Sequence, residues 1–255
     1  MGFVVSILAG FIAGWLVNYL SDVLPTLRRL SRPVCSQCGA IFRWQDYFLL
    51  KACPECKRAR SWRTFVVMVA AVVVSVLLWV WAPPQLGYWA SLLVMTYFGL
   101  VVVIDIEHRL IMHVVALAGA VVGLICGTIS NGLVMTLIGG LVGLVVMLAF
   151  YLFGVLFARY RLRKLGVDDD EEALGFGDVL LASVIGLMLG WPHILAGLLI
   201  AILAGGLVSL LIILVLMALR RFENMNIFTA YGPYLVLGAI ILMFFPQFVW
   251  FMPIK

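Results

Sequence analysis

The chain has 255 residues, of which 65% are hydrophobic and 11% charged, and its mean hydropathy is +1.18. A single water-soluble core cannot cover that much apolar surface, so soluble globular classes are excluded and a lipid bilayer is the expected solvent. The formal net charge of +5 fits basic loops that orient membrane helices, and no nucleic-acid partner is expected.

Taken in chain order, apolar runs suited to about 30 Å of hydrocarbon predict eight membrane helices: Phe3–Leu24, Thr64–Ala82, Leu86–Ile104, Leu110–Ile129, Leu133–Ala158, Val179–Leu189, His193–Leu219 and Thr229–Phe251. The first lacks a basic leading region and a small-residue cleavage site, so it reads as a retained helix and not as a signal peptide. The sixth is short, and a re-entrant segment competes with a full crossing there. With eight crossings, every one of the 17 Lys and Arg residues except Lys255 falls in loops on one side, expected to be cytoplasmic. Losing the sixth crossing would strand Arg220 and Arg221 on the other side. The opposite loops are short turns built on Pro83 and Pro84, Asn131 and Gly132, and Trp191 and Pro192.

The expected fold class is therefore all-α, a polytopic integral membrane protein of about eight transmembrane helices with a small cytoplasmic zinc-binding loop. The expected organisation is a first helix over 1–24, a zinc-knuckle loop over 25–63 and a seven-helix catalytic membrane domain over 64–255.

That loop carries Cys35-Ser-Gln-Cys38 and Cys53-Pro-Glu-Cys56, two CxxC knuckles separated by 14 residues. Such spacing lets two tight turns present four thiolates to one tetrahedral ion. In a reducing cytoplasm zinc is expected over disulfides. Four sulfur ligands leave no open position for water, so the metal is structural. Cys126, within an apolar run, is a packing residue.

Of the 12 acidic residues, most read as solvated loop charges, including the run Asp168, Asp169, Asp170, Glu171 and Glu172, which would also attract a basic substrate. Asp22 reads as an interfacial polar residue. Asp105 and Asp178 stand apart, each where an apolar run meets the cytoplasmic interface, a costly place for a carboxylate. Asp105 ends the run Val101-Val-Val-Ile104 and opens the turn Asp105-Ile-Glu-His-Arg-Leu110. Asp178 closes Gly175-Phe-Gly177-Asp178, whose glycines allow the backbone to bend and an extended peptide to approach. A single aspartate at a helix boundary is more often an anchor or cap. Two on one face suggest a pair in which one carboxyl stays protonated while the other activates water. Glu107 and His108 stand near Asp105 as candidates to orient substrate, with an interfacial polar role as the alternative. Serine-nucleophile, zinc-protease, Walker and dinucleotide motifs are absent from the sequence.

These features together resemble the type IV prepilin leader peptidases, membrane aspartyl proteases with a GxGD signature. The resemblance rests on the double CxxC loop, Asp105-Ile-Glu-His-Arg-Leu-Ile111, Gly175-Phe-Gly177-Asp178 and Tyr231-Gly-Pro-Tyr234 in that order. The stretch from Gly14 through Asn18 to Pro25 is similar to the end of the family's first helix. The resemblance implies that Asp105 and Asp178 are catalytic and that the four loop cysteines bind zinc. It implies cleavage after a leader glycine at the cytoplasmic face of the bacterial inner membrane. The substrates would be prepilins or pseudopilins with a basic leader and a hydrophobic N-terminal helix. Bifunctional members then methylate the new N-terminus with S-adenosylmethionine. This chain departs in a shorter interval between the CxxC pairs, which weighs against methylation, and in Leu110-Ile-Met112, where a proline is common. The competing readings are a non-enzymatic scaffold or transporter subunit with a zinc-knuckle interaction loop, and a membrane methyltransferase without protease action.

Overall fold

The computed structural model describes residues 2–27, 30–35, 38–57, 59–165, 175–219 and 230–245. The acidic run Asp168–Glu172, the pair Arg220 and Arg221, and both ends of the expected last span, Thr229 and 246–251, lie outside the described residues. Among the described residues the helices are α1 (Gly2–Leu27), α2 (Trp44–Phe48), α3 (Trp62–Trp81), α4 (Gly87–His108), α5 (His113–Asn131), α6 (Leu133–Leu165), α7 (Phe176–Leu189), α8 (His193–Ala218) and α9 (Gly232–Phe244). They contain no strand, only an isolated antiparallel bridge between Val34 and Ile41.

Helices α1, α3, α4, α5, α6 and α8 are long and apolar enough to cross a membrane, while α7 and α9 are shorter apolar helices. The protein is a multi-pass membrane protein. At about 1.5 Å per residue, the 14 residues of α7 rise roughly 21 Å, less than the hydrocarbon thickness. The helices cluster into two compact units, Met1–His108 and Arg109–Lys255.

In the first unit α1 and α3 run antiparallel. A chain of contacts fixes their register: Gly2 against the Trp79 ring, Gly10 against Ala71 and Val72, and Gly14 against Met68. Between the first two of these, the Ser75 hydroxyl donates to the Ser6 carbonyl at 2.7 Å. At the far end the buried Asn18 amide donates to Gly14 O at 3.0 Å and to Thr64 O at 3.2 Å. Small residues let the two backbones approach, and interhelical hydrogen bonds replace the missing hydrophobic drive between helices in lipid. Helix α4 packs on both.

In the second unit α7 is the core element, packed by α5, α6, α8 and α9. Its grip on α6 is backbone to backbone. A Cβ at Gly139 would stand 2.4 Å from Gly186 O, and one at Gly143 would stand 2.4 Å from Ala182 O. The Ser183 hydroxyl donates to Gly140 O at 3.1 Å, and the Asn131 amide donates to Met188 O at 3.2 Å. Leu181, Ala182, Ile185 and Met188 are consequently buried. A helix packed on several sides by other helices satisfies its apolar surface against protein and has no need to match the bilayer thickness.

Candidate functional site

The first knuckle closes through Cys35 N–H to Ala40 O and Gly39 N–H to Cys35 O, both 2.9 Å. Gly39 there has φ +71, a left-handed conformation that favours glycine. In the second, Lys57 N–H bonds Cys53 O at 3.0 Å. All four Sγ atoms lie within 4.8 Å of one another, with Cys35 to Cys56 at 3.7 Å and Cys38 to Cys53 at 3.5 Å. Zn–S bonds of about 2.3 Å in a tetrahedron imply S···S edges of about 3.8 Å, so this donor set fits zinc, whereas a disulfide needs about 2.05 Å. Ala40, Phe42, Tyr47 and Cys53 form the core of this small lobe, with Trp15 and Tyr19 of α1 packed against it.

A polar clamp ties the lobe to the helix ends. The Tyr47 hydroxyl donates to Asp22 Oδ2 at 2.6 Å. Arg63 donates to Asp22, to Ser21 Oγ at 3.3 Å and to Glu107. Arg60 reaches Asp22 at 3.6 Å and lies over the Tyr47 ring, 4.0 Å from its centroid. Burial first, and then the Asp22 carboxylate, push the Tyr47 phenol well above its ordinary range, against the opposing charges of Arg60 and Arg63.

Asp105 lies inside α4, which continues to His108. The expectation that Asp105 opens a turn is therefore corrected. Ile106, Glu107 and His108 contain no helix breaker, and the helix ends at Arg109, whose φ is +49. The Asp105 side chain follows Val101 and Ile104 on the buried face and is 4% exposed. Glu107 and His108 turn outward. Glu107 is the Arg63 acceptor, and His108 Nε2 stands 4.0 Å from its carboxylate.

Asp178 sits in the first turn of α7, where Gly175 is the N-cap and Asp178 N–H bonds Gly175 O at 3.0 Å. The side chain, 8% exposed, folds back over the cap: a Cβ on Gly175 would stand 3.8 Å from Asp178 Oδ2. A carboxylate at this position faces the unpaired N–H groups and positive end of the helix dipole. Gly175 has φ −75 and ψ 141, a conformation open to any residue, so a glycine hinge is not required there. Gly177 is needed for close packing, since its Cβ would stand 2.7 Å from Ile111 Cβ and 3.2 Å from Ile111 O. Tyr231 lies within electrostatic reach of Asp178. Gly205 of α8 makes room for it, because a Cβ there would meet the Tyr231 ring at 3.1 Å and the Tyr234 ring at 3.3 Å.

The structure thus gathers the four cysteines, groups Gly175, Gly177 and Asp178 in one turn, and gives Glu107 a structural partner. Asp105 belongs to the first unit and Asp178 to the second. Sequence reasoning missed Tyr47, Arg60, Arg63 and the central place of Asp22. The available signal was an acidic residue at the end of α1 preceding a loop rich in arginine.

Asp105, Asp178, the whole of α7 and α4 from Leu92 onward lie within residues 92–210, which match the model of the type IV leader peptidase family. Over that stretch, a little under half of its length, the chain is similar to the type IV leader peptidase family. It is also similar to a Prepilin leader peptidase/N-methyltransferase of Pectobacterium carotovorum subsp. carotovorum, with 27% identity over 175 residues. That alignment covers 69% of this chain and 57% of the relative, so the chain spans little more than half the length of that protein. No solved structure matches significantly. The cysteine lobe precedes the region matched by the leader peptidase family.

Proposed function

We propose that this chain is a member of the type IV leader peptidase family, an endopeptidase that removes the basic leader from prepilin-like proteins at the cytoplasmic face of the bacterial inner membrane. The observation that carries the reading is the pair of buried carboxylates at helix ends, Asp105 and Asp178, both within the family match. In this reading one aspartate is ionised and takes a proton from water as the water oxygen attacks the scissile carbonyl carbon. The other, protonated, donates a hydrogen bond to the developing oxyanion and then a proton to the departing amine as the C–N bond breaks. A coupled pair of carboxyls would titrate as a unit, so the roles are assigned to the pair and not to either residue alone. The close-packed Gly177 seats the turn that carries Asp178 against Ile111.

Cys35, Cys38, Cys53 and Cys56 would hold zinc, which would supply a cross-link that shapes the lobe. The name of the Pectobacterium relative includes N-methyltransferase, which favours a second activity: methylation of the freed N-terminus with S-adenosylmethionine. None of the steps above uses that cofactor.

The test is co-expression with a prepilin, followed by mass spectrometry of the product. A shortened product that depends on both aspartates supports the peptidase, and an added methyl group reports the second activity. Full-length prepilin in every case would leave the scaffold reading standing.

A further inference from the structure

The register of α1 against α3 gives a depth scale for the first unit. Trp62 and Trp81 end α3 and are exposed, Trp62 at 80%, as expected for the aromatic belts at the two faces of a bilayer. Asn18 bonds Thr64 O, two residues in from Trp62, and Gly14 packs on Met68, about one turn further in. Trp15 therefore lies between those two levels, inside the belt, and its Cα–Cβ bond tilts deeper still because side chains lean toward the helix N-terminus.

The Phe48 ring, at the end of α2, stacks on Trp15 with centroids 3.4 Å apart and planes at 14°. Helix α2 is consequently beside α1 at the edge of the hydrocarbon and not above it in water. Phe48 is nonetheless 50% exposed and the next residue, Leu49, 67% exposed. Trp44, one turn back, is exposed and leans on Tyr19 with centroids 5.4 Å apart. On α1, Phe11, one turn from Trp15, and Ile12 are exposed as well. Exposed Arg43 and Lys51 bracket Trp44, Phe48 and Leu49, a placement that suits anionic headgroups above an inserted apolar edge.

We infer that the metal-binding lobe is anchored in the membrane: Trp44, Phe48 and Leu49 insert into the near leaflet, and Arg43 and Lys51 meet its anionic headgroups. The lobe is then a membrane-seated element whose orientation is set by lipid as well as by the Asp22 clamp. The inference rests on the multi-pass fold and is independent of the proposed peptidase activity.

The experiment places the photoreactive residue p-benzoylphenylalanine at Phe48, Leu49 or Trp44 of the full chain. The protein is reconstituted in nanodiscs of phosphatidylethanolamine and phosphatidylglycerol, and cross-linked products are identified by mass spectrometry. Ile12 serves as the lipid-facing reference and Lys57, exposed on the same lobe, as the water-facing one; retained zinc verifies the lobe's fold. Leu49 carries no ring contact, so it reports even where Phe48 replacement disturbs the stack. Lipid adducts at 48 and 49 approaching the yield at Ile12, and about ten-fold above Lys57, are expected. Yields at both positions equal to Lys57, or adducts to a second copy of the chain or to co-reconstituted prepilin in place of lipid, would overturn the proposal.

Discussion

Gly177 lies against Ile111 so closely that a Cβ at position 177 would stand 2.7 Å from the Ile111 Cβ. The turn that follows α4 is thereby seated on the first turn of α7. Gly177→Ala should force one of them to move, lowering stability by about 1–3 kcal/mol as overpacking does, with a larger proportional loss of cleavage because the shift displaces Asp178. Gly175→Ala, at an ordinary backbone conformation, should cost less than about 1 kcal/mol. Thermal unfolding in detergent beside a prepilin cleavage assay checks both, and equal tolerance at the two positions would contradict the packing argument.

Asp105→Asn and Asp178→Asn should each lower cleavage by about 10²–10⁴-fold, the range for losing a positioned acid or base. Substrate binding should be largely retained, and the double variant should be no slower than the worse single one. The pH profile of the unaltered protein should be bell-shaped. Near-full activity in either single variant would return that aspartate to the role of an interfacial anchor or cap.

Metal analysis of carefully purified protein should find about one zinc per chain. Cys35→Ser or Cys56→Ser should release it and loosen the lobe, since the structural ion contributes directly to folding. Full zinc occupancy in both variants would show that these thiols are not its ligands.

Arg63 serves Ser21, Asp22 and Glu107 at once. Arg63→Ala should destabilise the first unit by about 1–3 kcal/mol, the usual cost of leaving partly buried charged groups without partners. Arg63→Lys should recover only part of this, because an ammonium lacks the planar fork that reaches several acceptors. Full recovery by lysine would mean that charge alone holds the clamp.

Tyr47 provides a pH test. Its folded-state pKa is raised above an unfolded value of about 10. Its contribution to stability is therefore complete below about pH 10 and is lost as pH rises through the folded value. Tryptophan fluorescence should report release of the lobe in that alkaline window, and Tyr47→Phe should remove the pH dependence by deleting the titrating group. An identical alkaline transition in both proteins would assign it elsewhere.

Much of this molecule was legible in its sequence because the signals are local. Apolar length marked the membrane helices, and the two CxxC pairs marked the metal lobe, whose sulfurs the fold brings within 4.8 Å. Helix ends were less legible. Asp105 was expected to open a turn, yet α4 runs on to His108, since nothing in Ile106-Glu-His108 stops a helix until Arg109 takes a positive φ. The clamp was illegible for a different reason. Asp22, Tyr47, Arg63 and Glu107 are far apart in the chain and meet only when α1, α2, α3 and α4 are packed.

The sequence by itself determined that this chain lives in a bilayer, which segments are apolar enough to enter it, and which residues carry candidate chemistry. Each of these follows from composition or from spacing over a few residues. Only the tertiary structure decided why α7 can be short, that Gly177 serves packing and not bending, and that Phe48 lies on Trp15. Each of these depends on which backbone another chain segment brings within van der Waals distance, a quantity that no local pattern encodes.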